Sequence, residues 1–259
     1  MLRYPILLLL FILSLLNMAY AQSDASLSFS PQRIVMEGTR SALLSLTNTG
    51  GKAGTYRITL VDVLYQDDGS IKHANQAPAG YPSARSLVRI SPSQVYLNPQ
   101  ESQSVRVLFD GKRASPNREY RIHVVMQLMP EPTGLTAPAN QAQKVSTSVS
   151  LNQGVAIPVI IRVGATEAKG DIASVKRTPK GLAVMLTRSG TRSLYTDIET
   201  YVGAVVPANR VGLLKGVAVP VPNQRRLIQV GIDKPSTRPY TVVVKDHDTG
   251  KVIAQRNVP

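Results

Sequence analysis

The residues able to do chemistry are few and far apart. There are three histidines, His73, His123 and His247, and no cysteine. A zinc site draws its ligands from a close cluster, and a catalytic triad needs a nucleophile beside its base. Three isolated imidazoles supply neither. The serines in GTRSALLS and RSGTRS lack the G-x-S-x-G turn that presents a nucleophile. The acid pairs Asp67/Asp68 and Asp246/Asp248 sit just before glycines, where an Asp side chain closes a turn by accepting from its own backbone. These residues predict no enzyme, no metal and no cofactor.

Charge is the stronger signal. Thirty Lys and Arg against sixteen Asp and Glu give +14, which favours acidic partners. Nucleic acid is excluded as a partner, because the basic residues are scattered along alternating segments and are not interleaved with aromatic ones. The N-terminal stretch MLRYPILLLLFILSLLNMAYAQ has Arg3, an apolar run from Ile6 to Leu16, and small residues Ala19 and Ala21. It reads as a secretory signal peptide, residues 1–21, cleaved after Ala21. A membrane anchor needs about 20 apolar residues, and this run breaks at Asn17. The mature chain is therefore expected in an exported compartment with no membrane span, folding without the disulfides that compartment would permit.

Almost every later segment has period two, the mark of strands. ALLSLTN, TYRITLVDVLYQ, SLVRISP, QVYLNP, SVRVLF and REYRIHVVMQLMP follow one another, separated by Gly, Asp and Pro. After Gly164 the pattern resumes in IASVKR, LAVMLT, LYTDIETYVG, KGVAVPVP, RRLIQVGI and PYTVVVKDHDTGKVIAQ. No segment has a helical period. The expectation is an all-β chain of two immunoglobulin-like β-sandwiches in tandem, residues 22–164 and 165–259.

The stretch KVSTSVSLNQGVAIPVIIRVG, residues 144–164, stands apart. Val145, Thr147, Val149, Leu151, Val155, Ile157, Val159 and Ile161 lie on one face, while the other begins as Lys144, Ser146, Ser148 and Ser150. Its first half has an apolar face that the chain supplies no evident cover for. Pro158 removes a ladder donor, which is tolerated chiefly where one side of a strand is open.

In order and spacing, three segments resemble the periplasmic chaperones of the chaperone/usher pilus pathway: SPQRIVMEG (30–38), PSQVYLNPQESQSVRVLF (92–109) and REYRIHVVMQLMP (118–130). The resemblance covers about residues 26–164. It implies a periplasmic chaperone that lends a strand to pilus or fimbrial subunits whose own fold lacks one, and passes them to an outer-membrane usher. Strand addition of this kind uses the main-chain ladder for affinity and alternate side chains for specificity. On that implication Val145, Val149, Leu151 and Val155 are the donated side chains. Each would contribute about 1.5–3 kcal/mol when buried.

The family also carries two basic residues that hold the subunit's C-terminal carboxylate. Arg33 takes the first position. The second, a Lys in the family, falls at Pro158, which cannot serve, so Arg162 or Arg121 supplies the charge or the anchoring differs. The rival for the donor segment is an ordinary edge strand packing on its own core. For the protein the main rival is an exported structural sandwich, a pilin or adhesin subunit, and a weaker one is a binding module for acidic glycans.

Overall fold

A computed structural model describes residues 24–74, 77–130, 154–233 and 235–259. The first group of strands is β1 (Leu27–Ser30), β2 (Ile34–Glu37), β3 (Ser41–Asn48), β4 (Gly54–Tyr65), β5 (Ile71–Ala74), β6 (Val88–Ser91), β7 (Gln94–Leu97), β8 (Ser102–Phe109), β9 (Arg118–Leu128) and β10 (Gly154–Val163). The second is β11 (Ala168–Thr178), β12 (Gly181–Gly190), β13 (Leu194–Val202), β14 (Arg210–Val219), β15 (Arg225–Gly231), β16 (Tyr240–Asp246) and β17 (Val252–Val258). The all-β, two-sandwich architecture expected from the alternation is what the chain adopts.

In the first sandwich a sheet ordered β1-β3-β8-β6 faces one ordered β2-β10-β9-β4-β5, with β7 pairing β4. Leu44, Leu46, Val105 and Val107 from one sheet meet Ile58, Ile122, Val124, Ile157, Val159 and Ile161 from the other. In the second, β11-β12-β15 faces β14-β13-β16-β17, and Leu182, Val184, Leu186, Ile228 and Val230 pack against Ile198, Val217, Val242 and Val244. Period two puts every second side chain inward, so most strands contribute one apolar row, while β5 lies outside the core.

Two details of pairing matter for function. β10 runs antiparallel to β9 along its whole length, but β2 covers its other flank only from Val159 to Arg162, in parallel. Among the described residues no strand pairs with Gly154–Pro158 on that flank. Pro158 lies one residue before the β2 register begins, so its missing N–H costs that pairing nothing.

The second detail joins the sandwiches. The turn between β4 and β5 docks on β15: Leu227 N–H donates to the Asp67 carbonyl at 2.7 Å, and Arg225 Nε donates to the Asp67 carboxylate at 2.7 Å. Asn223 Nδ2 donates to the Tyr65 carbonyl at 2.9 Å. Asp68 is the local turn acid, accepting from Ser70 N–H at 2.8 Å. Its neighbour Asp67, read from sequence as a second turn acid, instead reaches across to the other domain. Gly69 adopts φ +89°, and a Cβ there would come within 2.8 Å of the Leu227 carbonyl oxygen.

The alternation in β3 yields a direct test. Leu46 is fully buried while Leu43 is 57% exposed. Leu46→Ala should destabilise the first sandwich by about 2–5 kcal/mol, whereas Leu43→Ala should stay within about 0.5 kcal/mol of the parent. Urea midpoints of the two variants check both values, and equal effects would contradict the assigned faces.

Candidate functional site

The outer face of β9 carries Glu119, Arg121 and His123, alternating with the core residues Tyr120, Ile122 and Val124. Such residues normally face water, yet all three are buried: Glu119 and Arg121 meet Ser193 of the second sandwich, while His123 lies against Tyr65 of the first. The register sets them opposite the even residues of β10: Glu119 beside Arg162, Arg121 beside Ile160, His123 beside Pro158. Across β10, Arg162 also pairs in register with Glu37 of β2.

Glu119 has no exposure to water. Its carboxylate accepts from Ser193 N–H at 3.2 Å, from the Ser193 hydroxyl, and from Arg162 Nε at 3.3 Å. Arg121 Nη2 stands 3.9 Å from it and donates to Ser193 Oγ at 3.1 Å. Ser193 Oγ also accepts from Val221 N–H at 3.0 Å. Ser193 immediately precedes β13, so one buried carboxylate ties strands of both sandwiches together. Arg162 has its second carboxylate in Glu37, at 3.1 Å.

Between this junction and the Asp67 turn lies a cleft of about 360 Å³, lined by Arg33, Arg121, Arg226, Tyr65, Tyr195 and Pro158 among others. Arg33, just before β2, lays its guanidinium 4.0 Å from the Tyr195 ring centroid and 4.0 Å from the Asp248 carboxylate. The Arg121 and Arg226 guanidiniums lie 5.5 and 5.6 Å from the ring centroid of Tyr65. Arg226 Nη1 donates to the Ala218 carbonyl at 2.6 Å. The buried Nε groups of Arg121 and Arg226 have no hydrogen-bond partner.

Burial pushes the Arg33 and Arg226 guanidiniums below the usual arginine range, and repulsion from Arg121 acts on both in the same direction. On Arg33 the nearby Asp248 opposes that shift. Crowding like charges in a partly dry cleft is costly unless an anion enters. A carboxylate fits, since it can take paired N–H groups from a guanidinium fork. Among the described residues no group of His, Cys, Asp and Glu is arranged to hold a metal ion.

The structure thus brings two of the three anchor candidates, Arg33 and Arg121, into one cleft with Pro158. Arg162 lies outside it, lining a neighbouring cavity with its charge matched by Glu37 and Glu119. Of the donor candidates, Val145, Val149 and Leu151 lie outside the described residues. Val155 pairs with Met126 and packs half-buried against the first core. Arg226, Ser193 and the two tyrosines escaped the sequence reading. A signal for Arg226 was present, since it shares strand parity with the core residues Ile228 and Val230.

Superposition on the E. coli chaperone DraB gives a TM-score of 0.50 at 16% identity, over 91% of this chain and 96% of that one. The chain has the fold of that chaperone. The Pseudomonas aeruginosa CupB2 chaperone is similar at 13% identity with a TM-score of 0.49, over 89% and 98% of the two chains. A chain of the CsuC–CsuE chaperone–tip subunit pre-assembly complex from Acinetobacter baumannii is similar at 12%, with a TM-score of 0.47 over 90% and 97%. No family model matches the sequence, and no curated protein matches it. The fold is the one implied by the resemblance drawn from residues 30–38, 92–109 and 118–130.

His123 gives the site a pH signature. Burial, then repulsion from Arg121 and His73, lowers its pKa from 6.5 to about 3, so the folded protein holds it neutral. Its Nε2 lies 3.2 Å from the Tyr65 hydroxyl. Below pH 6.5 the unfolded chain takes up a proton that the folded one refuses, so this stabilisation is complete above pH 6.5 and declines as pH falls toward about 3. Denaturant midpoints should drop from pH 6.5 downward, and His123→Gln should flatten the upper part of that limb. An unchanged limb would place the acid sensitivity elsewhere.

Proposed function

We propose that this protein is a periplasmic chaperone for pilus or fimbrial subunits, which it holds by strand addition and delivers to an outer-membrane usher. The observation that carries this reading is the open flank of β10 at Gly154–Pro158, running directly into an arginine-lined cleft between two sandwiches. An unpaired strand flank is a template for another chain's backbone. A cationic cleft at one end of it gives that chain's terminal carboxylate a fixed seat. The fold shared with DraB agrees, as do the sequence motifs.

The anchor is assigned to Arg33 and Arg121. Arg121 stands in the neighbourhood of Pro158, where the family's second basic residue is expected, and reaches the cleft from β9 instead of β10. Residues 145–151, just upstream of the open flank, supply the donated row Val145, Val149 and Leu151, with Val155 continuing it. No cofactor or nucleotide enters the scheme. A subunit is held until a neighbour's strand replaces the chaperone's.

The test is to tag the C-terminus, isolate the periplasmic fraction and identify copurifying proteins by mass spectrometry. A small exported β-rich subunit at about one to one is expected. The Val149→Asp/Leu151→Asp double variant should lose it while remaining folded by circular dichroism, and Arg33→Ala/Arg121→Ala should retain less than about a tenth. A chain recovered alone, or as a polymer of itself, would instead indicate a structural sandwich protein.

A further inference from the structure

The charges around the junction do not balance. Arg162 is flanked by Glu37 and Glu119, Arg121 shares Glu119, and Arg33 faces Asp248. Arg226 lines the same cleft, and no carboxylate pairs with it among the described residues. Three of these four guanidiniums have a carboxylate partner. The fourth, Arg226, has none among the described residues and sits on β15 of the second sandwich.

Arg226 is not placed there by a need of the fold alone. Its neighbours on the same strand face are apolar core residues, and one bond to the Ala218 carbonyl leaves its buried Nε unmatched. Arg121, 2% exposed, leaves its own Nε unmatched as well. Both guanidiniums stand near one ring, Tyr65. Two unmatched donors beside one aromatic wall, with one uncompensated charge, describe a seat for a single carboxylate.

We infer that Arg226 is a ligand-binding arm: the carboxylate of an extended polypeptide, anchored by Arg33 and Arg121 of the first sandwich, is also held by Arg226 of the second. The inference rests on the chaperone reading above for the kind of ligand, and adds that the seat is built from both domains. Arg33, stacked on Tyr195 and facing Asp248, keeps its place as an anchor from the first sandwich.

The probe is the peptide acetyl-Ser-Val-Thr-Val-Ser-Tyr with a free C-terminus, set against its C-terminal amide and an amide extended by one Glu, which offers a side-chain carboxylate. NMR titration of the whole mature protein gives each affinity and follows the arginine Nε–H signals. The wild type should bind the free acid about tenfold tighter than the amide, with the Nε–H signals of both Arg121 and Arg226 moving. Arg226→Gln should remove most of that discrimination and Arg226→Lys should keep it. Because acid and amide are compared within each variant, a general loss of stability cancels.

Equal gain by the Glu-extended amide supports the seat and names a side chain as an acceptable source of the carboxylate. Discrimination that survives Arg226→Gln, or an Arg226 signal unmoved in the wild type while Arg121 moves, overturns the inference and leaves the chaperone reading standing. A wild type that does not distinguish acid from amide removes carboxylate anchoring itself, and with it this assignment.

Discussion

A carboxylate withdrawn from water organises the centre of this molecule. Glu119 has zero exposure, so its partners must be fixed, since removing one partner from a buried ion pair strands the other. Arg162 meets it across the β9–β10 ladder, Arg121 flanks it on its own strand, and Ser193 brings a backbone amide and a hydroxyl from the second sandwich. Satisfying Glu119 therefore sets where β13 begins relative to β9. The cleft exists because that junction holds one side of the domain contact while the Asp67 turn holds the other.

On the proposed reading, cleft and open flank act as one device because β10 belongs to both. A strand pairing slips easily when nothing pins its register, and a slip of one residue turns every side chain to the opposite face. A chain end held by its carboxylate cannot slip. The arginines then do more than add attraction: they determine which side chains of a bound strand face inward.

Much of this was legible in the sequence. Period two exposed nearly every strand, and the turn signals separated them, because a half-buried strand must alternate to have a core face at all. Alternation does not tell what covers the other face. Glu119 and Arg121 alternate with core residues and so lie off the core face, and contact with Ser193 of the second sandwich is what makes them interior. Arg162 was one of two candidates for the second anchor, but the β2–β10–β9 register gives it two carboxylates, a match set by strand neighbours distant in sequence. Arg226 was hidden in the reverse sense: an arginine on a core-facing register, which composition records merely as charge.

The turn between β4 and β5 has an implication for how such a chain can change over time. In an ordinary hairpin the tip is the most permissive part of the structure, where extra residues are absorbed in solvent. Here the tip's backbone is bonded to β15, and Gly69 leaves no room for a side chain against the Leu227 carbonyl. An insertion at residues 66–70 would be read by the second sandwich as a change in its own position. A change in the length of that loop would therefore have to be matched by a change at the start of β15 for the bonds between them to survive.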